Sequence, residues 1–444
     1  MTAAVSLLRE LIRNQCVNDG TRDSGNEHRS VGTLADYLGE SGEVVEPAPG
    51  RQSVVYRAPG TQPGAPRLLL LPHLDVVPVN RAGWSVDPFA AEISDGFVWG
   101  RGAVDMLNLT AAMTVVFGEY RGGQVPPLPG DLILAAVADE EAAGGLGARY
   151  LVEERPELVN GDFVLTEVAY PALPGKAGPA YPVAVGEKGP FWSKLRSSGT
   201  PGHGSGPFLA DNALRPLAAA IRGLFETESP VELTPEWLLL VETLDLPADL
   251  HERLVDRDQL DGALDDLASI DPGLARYFHS VTHLTVSPNT LRAGTKANMI
   301  PDQAEAEVDL RALPGMDRSF VDTHLRKAMG RDGDGLDIIP IADHVSYFST
   351  REDPLWRAIE DSLEEATGER RALPIVMPVS TDARFFRARG KPAYGVGLFD
   401  ERMKFSEFLG LFHGNNERVS VASVDLTVDL LRGVIARFGQ LTAG

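Results

Sequence analysis

Three short, continuous apolar runs in the first half of the chain predict buried β-strands. They are RLLLLPHLD (67–75), DLILAAVADEE (131–141) and DFVLTE (162–167). A run of this length without polar alternation is typical of a strand that is covered on both faces, as in a parallel sheet. Stretches with helical spacing follow the first two runs, from Asp105 to about Tyr120 and from Gly144 to Glu154. The alternation predicts an α/β domain with a mostly parallel sheet flanked by helices.

The pattern changes at about Glu187. Strand-like segments then occur at 191–199, 283–294 and 304–314, with a helix starting near Asn212 and an acidic, leucine-rich helical stretch at about 226–280. This mixture predicts a small α+β domain inserted into the first one. The α/β pattern returns with a helix at 354–367, the strand PAYGVGL and a final helix from 421 to about 439. The predicted units are a catalytic domain in two parts, 1–186 and 341–444, and an inserted lid or dimerisation domain, 187–340.

The composition of the chain argues against several classes of binding partner. The 444 residues carry a formal net charge of -22, which repels phosphate backbones and argues against a nucleic-acid partner. One cysteine, Cys16, excludes an intramolecular disulfide and a zinc site built on thiolates. The first residues read as an amphipathic helix with Val5, Leu8 and Ile12 on one face, and no apolar run reaches the roughly 18 residues of a membrane span. We therefore expect a cytoplasmic protein without a membrane partner.

Acidic and imidazole side chains cluster where the three predicted strands end. His73 and Asp75 end the first run, Glu140 and Glu141 the second, and Glu167 the third. In open α/β sheets, ligands bind outside the carboxyl ends of the strands, so these side chains are expected to converge. Asp75 is placed to orient His73, because residues two apart on a strand point the same way and a metal-binding histidine needs a second-nitrogen partner.

Several of the candidate residues also have an ordinary structural interpretation. Asp105, in GRGAVDM, is equally typical of a helix N-cap, and His413, in FHGNNER, of a solvated loop. The Glu140–Glu141 pair suits a solvated loop edge, or one metal ligand beside one general base. Taken together, however, the set fits two zinc ions with mixed nitrogen and oxygen ligands, with Asp105 as the candidate bridging carboxylate.

The ordered motifs also resemble a known family. The sequence is similar to the zinc amidohydrolases and exopeptidases that include acetylornithine deacetylase, succinyl-diaminopimelate desuccinylase, aminoacylase and glutamate carboxypeptidase. The matching segments are PHLDVVP, GWSVDPF, GRGAVDM, ADEEAAGGLGARYL, VLTE, GEKG, GTPGHGS, NMIP, VDLRALPG, TDARFF and FHGNNE. The resemblance implies a di-zinc exopeptidase-like catalytic domain, an inserted lid and a homodimer formed through that lid.

The resemblance also implies a role for each catalytic-domain residue. Glu140 is the expected general base, and Asp75 the residue that orients a ligand. The expected metal ligands are His73, Asp105, Glu141, Glu167 and His413. Leu107 stands where the family often has lysine, at a position that is not a ligand.

In the lid, the resemblance implies that His203 polarises the scissile carbonyl, often in the partner subunit's site. Asn298 and Arg311 are expected to bind the oxyanion and the carboxylate of the substrate. Arg311 has an alternative interpretation, a simple pairing with Asp309 along a lid strand. His279 and His283, four residues apart, are interpreted as structural or surface residues rather than as a metal pair.

Three functions remain open from the sequence. The first is deacylation of an N-acyl amino acid, the second is cleavage of a dipeptide or a C-terminal peptide bond, and the third is a non-catalytic binding protein. The expected cofactor is zinc, two ions per chain, for which cobalt or manganese can substitute at such sites. The expected partner is a small-molecule or short-peptide substrate.

Overall fold

Two main sheets, one of nine strands and one of five, form the framework of the fold, and two minor sheets of two and three strands accompany them. A computed structural model describes residues 1–368 and 372–443. The strands are β1 Glu43–Ala48, β2 Arg51–Ala58, β3 Leu68–Leu71, β4 Glu92–Ser94, β5 Phe97–Trp99, β6 Leu132–Ala136, β7 Phe163–Thr166, β8 Leu173–Gly175, β9 Gly178–Glu187, β10 Gly189–Pro190, β11 Ser193–Ser198, β12 Gly202–His203, β13 Thr285–Ala293, β14 Met299–Ile300, β15 Gln303–Ala312, β16 Asp337–Pro340, β17 Ala372–Met377, β18 Ala393–Gly395 and β19 Arg418–Ser420.

Helices surround these sheets. They are α1 Ala3–Arg13, α2 His28–Leu38, α3 Leu107–Arg121, α4 Ala148–Glu154, α5 Leu214–Glu226, α6 Pro235–Thr243, α7 Ala248–Leu254, α8 Leu260–Ala268, α9 Pro272–Thr282, α10 Arg318–Met329, α11 Pro354–Thr367, α12 Ala383–Arg387, α13 Phe405–Leu409 and α14 Val421–Leu441. Within the described residues, none of these helices is long and apolar enough to cross a membrane.

The larger sheet has the order β1-β2-β6-β3-β7-β18-β9-β17, with β8 paired to β9. Its centre is parallel, because β3 pairs with both β6 and β7, and β7 with β18, in parallel register. The three predicted apolar runs form β3, β6 and β7, so the prediction of an α/β domain with a mostly parallel central sheet is confirmed. The hairpin of β1 and β2 adds an antiparallel edge beside β6 that the sequence pattern did not reveal.

Both faces of the central strands are covered. Leu68 and Leu70 of β3 lie in the core with helices α1, α3 and α14, whereas Leu69 and Leu71 lie in the core with α4 and α12. This explains the continuous apolar run, since successive residues of a strand point to opposite faces.

The smaller sheet is antiparallel. Strand β15 pairs with β10, β11 and β13, and β11 pairs with β16. Helices α5 and α10 pack against each other beside this sheet. A separate sheet of this kind agrees with the predicted inserted α+β domain, while the domain boundaries near 187 and 340 remain a prediction.

The helical stretch predicted at about 226–280 is helical, and it forms α6 to α9. The sequence assigned it to the lid, but its contacts are with the larger sheet. Gly175 of β8 is bridged to Leu244, and the Tyr277 hydroxyl donates to the Val376 carbonyl of β17 at 3.1 Å. Trp237 is buried, with its ring nitrogen donating to the Leu254 carbonyl at 3.0 Å. The stretch therefore leaves the smaller sheet after α5 and returns to it at β13.

Candidate metal centre and active site

A first group of candidate metal-binding side chains joins two strand ends to the start of a helix. His73 lies just after β3, Glu167 directly follows β7, and Asp105 precedes α3. The His73 Nε2 atom is 3.3 Å from Asp105 Oδ1 and 3.7 Å from Glu167 Oε2. One ligand atom from each residue lies within 4.8 Å of the others, so the three surround a common point.

A second group shares Asp105 with the first. His413 Nε2 lies 3.3 Å from Asp105 Oδ2 and 3.2 Å from Glu141 Oε2. The two oxygens of Asp105 thus face different histidines, as a bridging carboxylate requires. All five residues that the sequence predicted as ligands fall into these two groups, and their role as ligands stays a prediction.

Asp75 lies beside His73 and also forms hydrogen bonds to the turn that follows β6. Its carboxylate accepts the backbone N–H groups of Glu140 and Glu141, each at 3.2 Å, and the Asn18 side-chain amide at 2.8 Å. The Nδ1 atom of His73 is 3.0 Å from the Asp75 carbonyl oxygen and 3.6 Å from its carboxylate. The backbone of Asp75 is thus the nearer partner of the His73 ring, and its carboxylate positions Glu140 and Glu141.

Glu417 holds the loop before α3. Its buried carboxylate accepts the backbone N–H groups of Gly102 at 3.0 Å, Val104 at 2.8 Å and Asp105 at 3.2 Å. It also pairs with Arg101 at 2.7 Å, and Arg101 donates to the His413 carbonyl at 3.2 Å. Glu417 therefore connects the loops of Asp105 and His413. The sequence analysis did not single it out, although it ends the FHGNNE motif.

Three loops that carry the predicted ligands contain residues with positive φ. Asp139 and Ala143, on either side of Glu140 and Glu141, have φ values of 71° and 73°. Val168, next to Glu167, has a φ of 70°, and His413 itself has a φ of 54°. Such conformations are costly outside glycine, above all for a β-branched residue, and they concentrate at functional sites.

Close packing fixes the turn after β6. A side chain at Gly147 would place its Cβ 1.6 Å from the Ala138 carbonyl oxygen, and one at Gly144 would lie 2.3 Å from Asp382 Oδ1. Two of the three glycines of the AAGGLG segment, Gly144 and Gly147, are therefore required by the close approach of neighbouring atoms.

The cluster of acids shifts the pKa of its members. Burial raises the pKa of Glu141 to about 7, and the charge of Asp105 adds to this effect. Burial likewise raises the pKa of Glu140 and of Glu167 well above the usual glutamate range. Hydrogen bonds to Asp105 and Glu141 raise the pKa of His413 to about 10. The side chains thus hold protons that cations can replace, which is the expected behaviour of a metal site.

Asp382 is a further buried acid at this site that the sequence analysis did not identify. It lies against Gly144, and neither of its carboxylate oxygens has a hydrogen-bond partner among the described residues. Burial raises its pKa to about 7. Nearby Arg384 donates to the Ala143 carbonyl at 2.8 Å. The TDARFF segment therefore packs against the turn that presents Glu140.

The predicted lid residues lie on the smaller sheet and its extensions. His203 of β12 pairs with Met299 of β14, and the Asn298 carbonyl accepts the Gly204 N–H at 2.8 Å. His203 and Asn298 are exposed, and neither belongs to the two metal-binding groups. Their positions put them on a shared surface next to one another, while their roles stay a prediction.

Arg311 pairs with Asp309, as the alternative interpretation described. Its Nε and Nη2 atoms donate to the Asp309 carboxylate at 2.8 and 3.3 Å, and its guanidinium lies 5.2 Å from the centre of the Trp192 ring. This pairing holds the guanidinium in one orientation, and the contact with a substrate carboxylate stays a prediction.

His279 and His283 stack on each other, with ring centres 4.1 Å apart, and His283 Nε2 lies 3.0 Å from Asp261. The metal-binding groups found in the described part of the chain do not include them. The stacking agrees with the structural interpretation.

The strand ends of the larger sheet thus carry two groups of carboxylates and imidazoles of the kind that hold metal ions in hydrolases. The family model of Peptidase family M20/M25/M40 matches residues 69–437, and the chain belongs to this family. It is 28% identical to aminoacylase-1 of Sus scrofa over 451 residues, covering 99% of this chain and 96% of that protein. It is 27% identical to aminoacylase-1 of Homo sapiens over 450 residues, with the same coverage.

Solved structures share the fold. The M20 family metallo-carboxypeptidase Sso-CP2 of Sulfolobus solfataricus has a TM-score of 0.72 at 17% identity, covering 99% of this chain and 100% of that one. The di-peptidase Dug1p of Saccharomyces cerevisiae has a TM-score of 0.72 at 16% identity, covering 98% and 96%. The protein is therefore an enzyme, a hydrolase of the M20 family, as the resemblance of its motifs predicted.

Proposed function

We propose that the enzyme binds two zinc ions and hydrolyses the amide bond of N-acyl amino acids. The observation that carries the metal assignment is the pair of groups that share Asp105. Two atoms bonded to one tetrahedral zinc at about 2.0–2.2 Å lie roughly 3.3–3.6 Å apart. The separations from His73 and His413 to their carboxylate partners, between 3.2 and 3.7 Å, fit that spacing. We assign His73 and Glu167 to one ion, Glu141 and His413 to the other, and Asp105 to both.

When bound, such ions lower the pKa of a water and polarise the scissile carbonyl. Within the chain, Glu140 is the general base that accepts the proton of the attacking water and returns it to the leaving amine. The Asp75 carboxylate accepts the Glu140 backbone N–H, which fixes the start of the turn that carries this base. We assign the stabilisation of the oxyanion to His203 and Asn298.

Arg311 is the proposed partner of the substrate carboxylate. Asp309 takes the Nε and Nη2 side of the guanidinium and fixes its plane, and Nη1 is left to the substrate. Fixing the plane favours a planar carboxylate over other anions. A free carboxylate is common to N-acyl amino acids and to peptides with a free C-terminus.

The choice of deacylation rests on the aminoacylase relatives, which align over almost the whole chain. Dipeptide or C-terminal peptide cleavage is the second candidate, supported by the carboxypeptidase and dipeptidase names among proteins of the same fold. We further propose a homodimer through the smaller sheet, in which His203 enters the partner's site. The exposure of His203 and Asn298 on one surface favours this arrangement.

A substrate panel tests the proposal. Purified protein, prepared with zinc and separately with cobalt, is assayed on N-acyl amino acids, their amide counterparts that lack the carboxylate, and dipeptides. We expect turnover of the N-acyl amino acids, little turnover of the amides, and loss of activity with a chelator that zinc restores. Faster turnover of dipeptides would favour the second candidate. A protein that binds no metal and hydrolyses nothing would contradict the proposal.

A further inference from the structure

A buried arginine lies behind the turn that carries Glu140 and Glu141. Arg51, the first residue of β2, is only 1% exposed. Its Nη2 atom is 2.6 Å from Asp139 Oδ1 and 2.9 Å from Glu27 Oε1, and its Nε atom contacts both Glu27 oxygens at 3.0 and 3.1 Å. The guanidinium therefore bridges Glu27, which precedes α2, and Asp139, which begins the turn.

Asp139 accepts several of the hydrogen bonds that stabilise the turn. Its carbonyl oxygen accepts the N–H groups of Ala142 at 3.1 Å and Gly144 at 2.7 Å. Its Oδ2 atom accepts the Leu146 N–H at 2.8 Å, while Oδ1 faces Arg51. The residue adopts a φ of 71°, which a non-glycine residue keeps only when its surroundings hold it there. The direction of Glu140, the next residue, follows from this conformation.

Charge explains why an arginine is needed at this point. The carboxylates of Glu27 and Asp139 contact Arg51 directly, and Asn18 links Asp139 to Asp75 through amide contacts of 3.3 and 2.8 Å. Buried carboxylates are strongly destabilised without a cation, so removal of Arg51 leaves Asp139 uncompensated. At the far end of the turn, Arg384 holds the Ala143 carbonyl. The two arginines thus bind the two ends of the turn, where φ is positive.

We infer that Arg51 is a positioning residue for catalysis, which sets the direction of Glu140 through Asp139. The inference rests on the proposed role of Glu140 as general base. Arg51 is buried and acts through Asp139 instead of touching the substrate. Its effect is on the placement of a group that does, and a misplacement of about 1 Å at a catalytic group costs on the order of 100-fold in rate.

The primary test needs no substrate. Hydrogen–deuterium exchange is measured on peptides covering 139–147 in the full-length protein and in Arg51→Met. The control is Arg57→Met, which removes the other arginine of β2; it pairs with Asp131 at 2.7 Å at the surface, away from the turn. We expect faster exchange in the 139–147 peptides of Arg51→Met and no change there in Arg57→Met. Equal exchange in both variants and the wild type would overturn the inference.

Kinetics supply the second readout. Arg51→Met is expected to lower kcat by about 10- to 100-fold with KM changed less than three-fold and zinc content retained, because the base is displaced while the substrate contacts stay. Asp139→Asn is expected to cause a similar loss, and the double variant no further loss, since both act through one contact. Additive losses, or an increase in KM alone, would contradict a positioning role.

A conservative variant covers the case in which Arg51→Met does not fold. Arg51→Lys keeps the buried charge but cannot bridge Glu27 and Asp139 with a planar fork. We expect intermediate kcat and intermediate exchange at 139–147, and wild-type values of both would overturn the inference. If the wild type hydrolyses none of the substrates, the proposed function fails, whereas the exchange experiment still decides whether Arg51 fixes the turn.

Discussion

Without metal, the protein should become less stable as the pH rises from about 5.5 to about 8.5. A carboxyl group whose pKa is raised by folding holds its proton more tightly in the folded protein than in the unfolded chain. Its contribution to stability is therefore lost as the pH rises through the folded pKa. Glu141, with a pKa raised from 4.5 to about 7, titrates in this window. His413, raised from 6.5 to about 10, acts in the same direction at higher pH.

The size of the effect can be worked out from Glu141. Its carboxyl group is almost fully buried, so screening by solvent is small. Of the pKa difference of about 2.5 units, about 1.5 units act between pH 5.5 and 8.5, which at about 1.36 kcal/mol per unit is on the order of 2 kcal/mol. For 444 residues, at about 2.1 cal/mol/K per residue, the entropy of unfolding is roughly 0.9 kcal/mol/K, so the melting temperature should fall by about 2 °C from this residue alone. The lowered pKa of Asp105 does not change the sign, because that group is already ionised throughout the window. The pKa of His279, lowered to about 4 by burial, acts in the opposite direction up to about pH 6.5. The buried carboxyl groups of Glu27 and Asp382, whose pKa values are raised to about 7, act in the same direction as Glu141 and outweigh the effect of His279.

The assay is thermal unfolding of chelator-treated protein at constant ionic strength across this pH range. Glu141→Gln is the matched control, since it keeps the shape of the side chain and removes the titration; its pH dependence should be shallower. Added zinc should stabilise the wild type most at the alkaline end, because ligands without protons bind the metal more tightly. A metal-free wild type whose stability is constant or rises from about pH 5.5 to 8.5 would refute the reasoning.

Three further predictions follow from single contacts. Glu140→Gln should bind zinc normally and lose at least about 100-fold in kcat, as expected for a general base; near-normal turnover would remove Glu140 from the mechanism. Glu417→Gln should weaken zinc binding by about 10- to 100-fold in a competition titration, because Gly102, Val104 and Asp105 lose a charged acceptor; unchanged affinity would contradict its positioning role. Trp237→Ala should lower the free energy of unfolding by about 3–5 kcal/mol in urea titrations, and a loss below about 1 kcal/mol would mean that α6 packs loosely.

The centre of the larger sheet could be predicted because each of its strands is recognisable from a few consecutive residues. Strands β3, β6 and β7 are each a short apolar run, and burial on both faces leaves that run uninterrupted. The hairpin of β1 and β2 carries no such signal. Strand β2 has the sequence RQSVVYRA, in which Arg51 and Ser53 are buried through polar contacts with distant segments. A pattern of apolar positions cannot show that a polar residue is buried with a partner.

The residues of the site also fall into those with a local signal in the sequence and those without one. His73, Glu141 and Glu167 follow apolar strands, so their convergence could be argued from sheet topology. Asp105 and His413 depended on the family motifs, since each had an ordinary structural interpretation. Glu417, Arg51 and Asp382 were missed because what defines them is a contact across a large sequence distance. Arg101 and Glu417, for example, are 316 positions apart in the chain.

The path of the helical stretch α6 to α9 has a mechanical consequence. The chain crosses between the two sheets or the helices packed on them four times, at 187–189, 226–235, 282–285 and 340–348. Two of these crossings exist because α6 to α9 leave the smaller sheet and pack on the larger one. Each crossing sets an upper limit on the separation of two anchor points. One sheet can rotate as a rigid body relative to the other only about axes that satisfy every limit. Four limits allow fewer such axes than two would. In this chain, covalent connectivity as well as packing restricts the relative orientation of the sheets.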